Sequence, residues 1–309
     1  MRLIEVHDYS AAGWTVPSTA AARAREYCER LEEGNIVYFP RSPFRLEDAD
    51  RAFLMGIRQA GTGYVKNISY RPGDGRVRGA VGGGDVERLR SCLRRYSETI
   101  IRVARDVLAP YAAAWQLDLA SFRTLEEEGR QLPLKARNDL LHIDSFPTRP
   151  TNGGRILRVF TNIHPTRQRV WATSDPFHVV ASRIAGMAGL AEIAARASSR
   201  RERITAALGR FARRLGLPVV YRPPYDRFML RAHHCLKADT AFQANGRKFV
   251  WQFAPDSTWI AFTDTVPHAV LSGQFALEQT FIVPLSVLQR PETSPLRVAE
   301  GLCGTRLTA

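Results

Sequence analysis

The chain has 309 residues, 45% of them hydrophobic and 24% charged, a composition that buries a sizeable core and excludes both a stapled miniprotein and bulk disorder. Lys and Arg number 44 against 30 Asp and Glu, a formal net charge of +14, which points to an anionic partner such as nucleic acid, phosphorylated lipid or an acidic sugar. Cys28, Cys92, Cys235 and Cys303 are scattered without a CxxC pair, so neither structural zinc nor a disulfide scaffold is expected and a reducing compartment fits. Glu5, His7 and Asp8 interrupt the N-terminal apolar run, and no stretch reaches the roughly 20 apolar residues of a spanning helix. A cytoplasmic protein, at most peripheral at the inner face of a membrane, is the expectation.

In chain order, Pro17 and Ser18 open a helix that Gly34 closes, and NIVYFP (35–40) reads as a short buried strand. Residues 71–84 and 130–135 read as loops, and no linker divides the chain. Over 85–109 the apolar residues Val86, Leu89, Leu93, Tyr96, Ile100, Val103 and Val107 recur at steps of three and four, with Pro110 beyond them. That spacing predicts an amphipathic supporting helix. A second, basic helix is predicted over about 190–215, with Ile204, Leu208, Phe211 and Leu215 as its stripe. Seven short segments read as strands: DLLHIDSF (139–146), RILRVFTNI (155–163), RFMLRAHH (227–234), KFVWQFA (248–254), STWIAFT (257–263), HAVLSG (268–273) and ALEQTFIVP (276–284). Many short strands between turns predict a mainly β jelly roll. The expected organisation is one domain over 1–309: an α/β section to about 134, and a jelly-roll core over about 135–290 with a helical insertion at about 176–216.

Chemistry concentrates in His142-Ile143-Asp144. In an extended segment residues i and i+2 share a face, so His142 and Asp144 present an imidazole and a carboxylate side by side. One more imidazole completes a two-His-one-carboxylate face on Fe(II), leaving positions open for a cosubstrate and O2. His268, 124 positions after Asp144 and near the end of the strand series, is a candidate for that imidazole, or a turn histidine after Pro267. His164, before Pro165, reads as a turn residue, and His7 and His178 as surface or packing residues. His233 and His234 are adjacent, so at most one is expected to face inward, with Arg231 and Lys237 opposing a cation there.

The runs LLHIDSFPTRPTNGGRILRVFTNIHP (140–165) and DTVPHAVLSGQFALEQTFIVP (264–284) resemble the Kdo hydroxylase family, Fe(II)/2-oxoglutarate dioxygenases acting on 3-deoxy-D-manno-oct-2-ulosonic acid in the lipopolysaccharide inner core. The resemblance covers most of the chain. It implies a cupin-like double-stranded β-helix braced by helices, with iron held by His142, Asp144 and His268. It also implies 2-oxoglutarate and O2 as cosubstrates, a Kdo-containing lipid A precursor as partner, and a product hydroxylated at C3, D-glycero-D-talo-oct-2-ulosonic acid. The rival readings are another cupin-type 2-oxoglutarate oxygenase, acting on a protein side chain or small molecule, and a non-catalytic jelly roll that binds an acidic saccharide.

Many such oxygenases anchor the far carboxylate of 2-oxoglutarate with an Arg after the distal His, but residues 269–284 contain neither Arg nor Lys. Arg155 and Arg158 are the candidates, on opposite faces of one strand. The spacing resembles asparaginyl hydroxylase and JmjC-type enzymes, whose anchoring Lys aligns with Arg158, on the face shared by Phe160 and Asn162. A guanidinium suits the task through paired charge-assisted hydrogen bonds. Lys66, Asn67 and Arg71 are candidate sugar contacts, or members of a plain loop. The basic helix, with Arg196, Arg200, Arg201, Arg203, Arg210, Arg213 and Arg214 against Glu202, reads either as a surface for anionic lipid or as a brace whose stripe packs on the jelly roll. No helix-turn-helix, RNP or zinc pattern supports nucleic-acid binding.

Overall fold

The computed structural model describes residues 1–7, 9, 17–58, 67–80, 85–215 and 221–308, without the side chains of 17, 18, 203, 210 and 212–214. The N-terminal section contributes β1 (Leu3–Glu5), α1 (Pro17–Glu32), β2 (Ile36–Phe39), α2 (Asp48–Gly56), β3 (Ile68–Tyr70), β4 (Val77–Arg78), α3 (Val86–Val107), α4 (Ala109–Ala112) and β5 (Gln116–Arg123). Then come β6 (Arg155–Asn162) and β7 (Arg169–Thr173), followed by α5 (Phe177–Met187), α6 (Leu190–Ala197), α7 (Arg200–Arg214), α8 (Pro224–Ala238) and α9 (Thr240–Asn245). The chain ends with β8 (Phe249–Phe253), β9 (Thr258–Phe262), β10 (His268–Ser272), β11 (Ala276–Val283) and α10 (Pro295–Cys303).

The supporting helix forms as its periodicity requires. Asp85 caps α3 by accepting the Arg88 N–H at 2.8 Å, and Leu89, Leu93, Tyr96, Ile100, Val103 and Val107 are buried, each large apolar side chain contributing about 1.5–3 kcal/mol relative to exposure. Val86, at the first turn, stays exposed. Polar contacts fix the helix on the sheet: Tyr96 donates its hydroxyl to the Val159 carbonyl at 3.2 Å and Ser97 to Gln279 at 2.7 Å.

The large mixed sheet has the order β1-β2-β9-β6-β11-β5-β3-β4, and a smaller one has the order β10-β7-β8. Among the described strands, β1 and β2 run parallel and the other pairs antiparallel. Along β6 the period of two divides the residues cleanly. Leu157 and Val159 join the core beneath α1 and α3, whereas Phe160 packs with Trp171, Phe253 and Trp259 between the two sheets. A third apolar cluster joins Ala172 and Ala269 of the small sheet to α5, α6, α8 and α10.

Several local expectations differ from the structure. Residues 227–234 belong to helix α8, not to a strand: Tyr225, Phe228, Met229, Ala232 and Leu236 are buried at helical spacing, and Pro224 sits in the first turn, where it removes no helical hydrogen bond. Residues 139–146 form no regular strand; they hold to β10 through an isolated bridge, His142 N–H to His268 carbonyl at 3.0 Å and the reverse at 2.9 Å. The basic helix breaks at Ser198–Ser199 into α6 and α7. On α7, Ile204, Leu208 and Phe211, with Leu215 just past its end, are 52–62% exposed, so the stripe does not pack on the sheets. The helices after β7 run on through α9 to Asn245, past the expected end of the insertion.

Candidate active site

Although it forms no strand, the 139–146 segment keeps the alternation that places the candidate metal ligands. Leu141 and Ile143 are buried in the apolar cluster with Tyr225 and Phe228 of α8, which leaves His142 and Asp144 facing a cavity of about 380 Å³. His268, at the start of β10, is brought beside them by its bridge to His142.

Each imidazole is turned by a backbone carbonyl. His142 Nδ1 lies 2.7 Å from the Leu140 oxygen and His268 Nδ1 lies 2.9 Å from the Val266 oxygen. A carbonyl only accepts, so Nδ1 carries the proton and Nε2 offers its lone pair. Those two Nε2 atoms approach opposite oxygens of Asp144, His142 to Oδ1 at 3.8 Å and His268 to Oδ2 at 3.8 Å. Trp171 stacks on the His268 ring at 5.2 Å. Burial holds the pKa of both imidazoles below the ordinary histidine value. At Asp144 burial alone would raise the pKa, but Arg158, with the imidazoles, outweighs it and holds the carboxylate below its usual range. Two neutral imidazoles and one ionised carboxylate are the donor set that suits Fe(II). Asp144 Oδ2 is buried and accepts no well-formed hydrogen bond, its near neighbours being the Arg158 guanidinium at 3.2 Å and His268 Nε2 at 3.8 Å, and this donor set fits a divalent metal.

A third imidazole stands here that the sequence reading set aside. His233 on α8 directs Nδ1 to the Ile143 carbonyl at 2.7 Å and meets the His142 ring edge-on at 5.0 Å. One ligating atom from each of His142, Asp144 and His233 lies within 4.8 Å of the others. Burial, then the neighbouring Lys237, push the His233 pKa down to about 3, so the cation named as an obstacle keeps this ring neutral. His233 and His234 both line the cavity, contrary to the expectation for adjacent strand residues; the helix, turning 100° per residue, allows it.

Arg158 reaches the site from β6, with Nη1 3.2 Å from Asp144 Oδ2 and Nε 3.3 Å from Glu278 Oε1. Glu278, on β11, takes two hydrogen bonds from Arg123 of β5, at 2.9 and 2.5 Å. Burial would raise the Glu278 pKa, but Arg158 and Arg123 hold it down. Arg155 does not reach the cavity, which corrects its candidacy as an anchor. The strand's alternation sends it to the opposite face, where it is fully buried, paired with Asp264 at 3.0 Å and laid 4.1 Å over the Phe262 ring. Of the candidate sugar contacts, Asn67 lines the cavity, Arg71 is exposed outside its lining, and Lys66 lies outside the described residues.

The whole-chain comparisons agree with this geometry. The family model for 3-deoxy-D-manno-oct-2-ulosonic acid (Kdo) hydroxylase matches residues 15–306. The chain belongs to the Kdo hydroxylase family. Its sequence is 31% identical to the solved Kdo hydroxylase KdoO, a non-heme Fe(II) alpha-ketoglutarate-dependent dioxygenase in complex with alpha-ketoglutarate and Fe(III). That match covers 100% of this chain and 98% of that one, with a TM-score of 0.81. The cobalt(II) complex of KdoO matches at 32% identity over 99% and 97% of the two chains, TM-score 0.82. The complex with succinate and Fe(III) matches at 31% over 99% and 97%, TM-score 0.80. No curated protein sequence matches the chain.

In this Kdo hydroxylase the groups missed from sequence are His233, Arg123 and Glu278. His233 had a usable signal, the helical spacing of the apolar residues around it. Arg123 closes an alternating segment, QLDLASFR, in which Ala120 and Phe122 face the core and Ser121 and Arg123 the cavity. Nothing local says that Glu278, on a strand in mid-sheet, is its partner.

Proposed function

We propose that this chain is an Fe(II)/2-oxoglutarate-dependent dioxygenase that hydroxylates C3 of Kdo in a Kdo-containing lipid A precursor, giving D-glycero-D-talo-oct-2-ulosonic acid with succinate and CO2. The observation that carries the reading is Asp144, ionised between two imidazoles whose Nδ1 atoms are tied to backbone carbonyls, in a cavity that Arg158 enters. His142, Asp144 and His268 would hold the iron, because His142 and His268 are the imidazoles whose Nε2 atoms stand 3.8 Å from the carboxylate. His233 would stand beside the metal. When bound, iron and 2-oxoglutarate supply the oxidant from O2; the protein's part is to fix the donors, orient the sugar and exclude water. Arg158 takes the far carboxylate of 2-oxoglutarate, exchanging its contacts with Asp144 and Glu278 for a charge-assisted pair.

The fold reading is a double-stranded β-helix in one domain. In its support, β5, β11, β6 and β9 are adjacent in the large sheet and face a small sheet to which the His142 segment adds a bridge. The N-terminal strands β1–β4 extend that same large sheet. The enzyme acts at the cytoplasmic face of the inner membrane, with α7 as its contact: an exposed apolar stripe beside exposed Arg200 and Arg201 is how interfacial helices meet anionic lipid. The side chains of Arg203, Arg210, Arg213 and Arg214 lie outside those described. Among the described residues no single helix is long and apolar enough to cross a membrane.

Incubation of the purified protein with Fe(II), 2-oxoglutarate and a Kdo-lipid A precursor tests the activity. The expected result is succinate and a sugar one oxygen atom heavier at C3. Succinate formation that the sugar does not stimulate, with the sugar recovered unchanged, would sink it.

A further inference from the structure

Iron and 2-oxoglutarate leave the inner cavity balanced in charge, and further cationic side chains line it toward the mouth. Deep inside, Asp144 and Glu278 face Arg123 and Arg158, two acids against two bases. A divalent iron and a dianionic cosubstrate add equal and opposite charges, so the inner site stays neutral when loaded. A substrate with a carboxylate of its own finds no compensating charge there, and an uncompensated anion in a buried site is costly.

Toward the mouth the cavity is lined by Arg149 and Lys135. Arg149 is held in place and only partly satisfied. Its Nη1 stands 3.1 Å from Asp118 Oδ1 and its guanidinium lies 4.6 Å over the Phe146 ring. Its Nε is buried without a hydrogen-bond partner, as is Asp118 Oδ2. Phe146 also carries Arg158 at 5.4 Å, so one ring links the inner guanidinium to the outer one. Burial, and after it the like charge of Arg158, depress the Arg149 pKa although Asp118 opposes them, and an arriving anion relieves both effects. Lys135 is exposed at the rim, where water already solvates its ammonium.

We propose that Arg149, whose side chain lines the cavity and is more than a third exposed, receives the sugar's own carboxylate on its guanidinium and so selects an acidic ulosonic sugar over a neutral one. The inference deepens the Kdo reading and rests on it. A planar, preoriented guanidinium binds a carboxylate through two parallel hydrogen bonds, which a carboxamide cannot reproduce. Phe146 and Asp118 hold that fork before the sugar arrives, so little side-chain entropy is lost on binding.

The test compares Kdo-lipid A precursor with its carboxamide analogue, using the full-length enzyme loaded with Fe(II) and 2-oxoglutarate. Wild type is expected to favour the carboxylate by about 100-fold or more in kcat/KM, and Arg149→Gln to shrink that preference below about 5-fold, mainly through KM for the sugar. Arg149→Lys, which keeps the charge and loses the fork, is expected to keep the preference while raising KM by about 10-fold. An unchanged preference in Arg149→Gln overturns the assignment, as does its collapse in Lys135→Gln instead. Should the Gln variant not fold, an unaltered KM in Arg149→Lys overturns it equally. Failure of wild type to hydroxylate either sugar would count against the Kdo reading and is seen in the wild-type arm alone.

Discussion

Arginine serves opposite ends in two regions of this molecule. Inside the cavity, Arg123 and Arg158 are largely buried, and each engages a carboxylate whose own surroundings are buried. On α7, Arg200 and Arg201 are exposed, on a helix whose apolar stripe is exposed with them. A charge taken out of water must be compensated, so its partners describe a ligand; a charge left in water is weakly coupled to its neighbours and describes a surface. The lesson is that the chain's net charge of +14 carries two separate meanings.

The comparison breaks most severely at the metal. His142→Ala, Asp144→Ala and His268→Ala are each expected to lower turnover by more than about 100-fold, beyond what loss of a supporting contact costs, and to weaken iron binding measured by titration with Co(II) as a spectroscopic probe. His233→Ala sharpens the assignment, since it should keep Co(II) binding that His268→Ala loses. The reverse order would make His233 the third ligand.

Next come the two arginines of β6. Arg158→Ala should raise the KM for 2-oxoglutarate strongly, because a buried anion left without its cation loses about 2–5 kcal/mol. Arg155→Ala should act on stability, since it strands Asp264 on the far face and costs about 3–5 kcal/mol in a denaturant titration. If Arg155→Ala moved the 2-oxoglutarate KM more than Arg158→Ala did, the strand's phase would not govern the site.

The smallest effects belong to α7. Arg200→Gln with Arg201→Gln should weaken sedimentation with anionic vesicles by about 1 kcal/mol per residue at low salt, and added salt should shrink the difference within a Debye length of about 8–10 Å. Leu208→Ser with Phe211→Ser should reduce vesicle binding without lowering the melting temperature, because both side chains are already exposed. Equal sedimentation of all these variants with wild type would leave α7 without a membrane role.

What the sequence determined by itself follows from periods set by local backbone geometry. Alternation placed His142 beside Asp144 and parted Arg158 from Arg155; the spacing of three and four placed α3; the family resemblance carried His268 to the same site. Tertiary structure decided the rest. The apolar residues around His233 fit a helix, but β-like composition masked the period, and only the docking of α8 brings the ring to His142. Arg123 and Glu278 are 155 positions apart, and their pairing depends on β5 and β11 being neighbours in the sheet. The α7 stripe was visible as a stripe, yet whether it is covered depends on where the sheets end. Periodicity is a property of a few successive residues, whereas burial and charge pairing are properties of segments that meet only after the chain has folded.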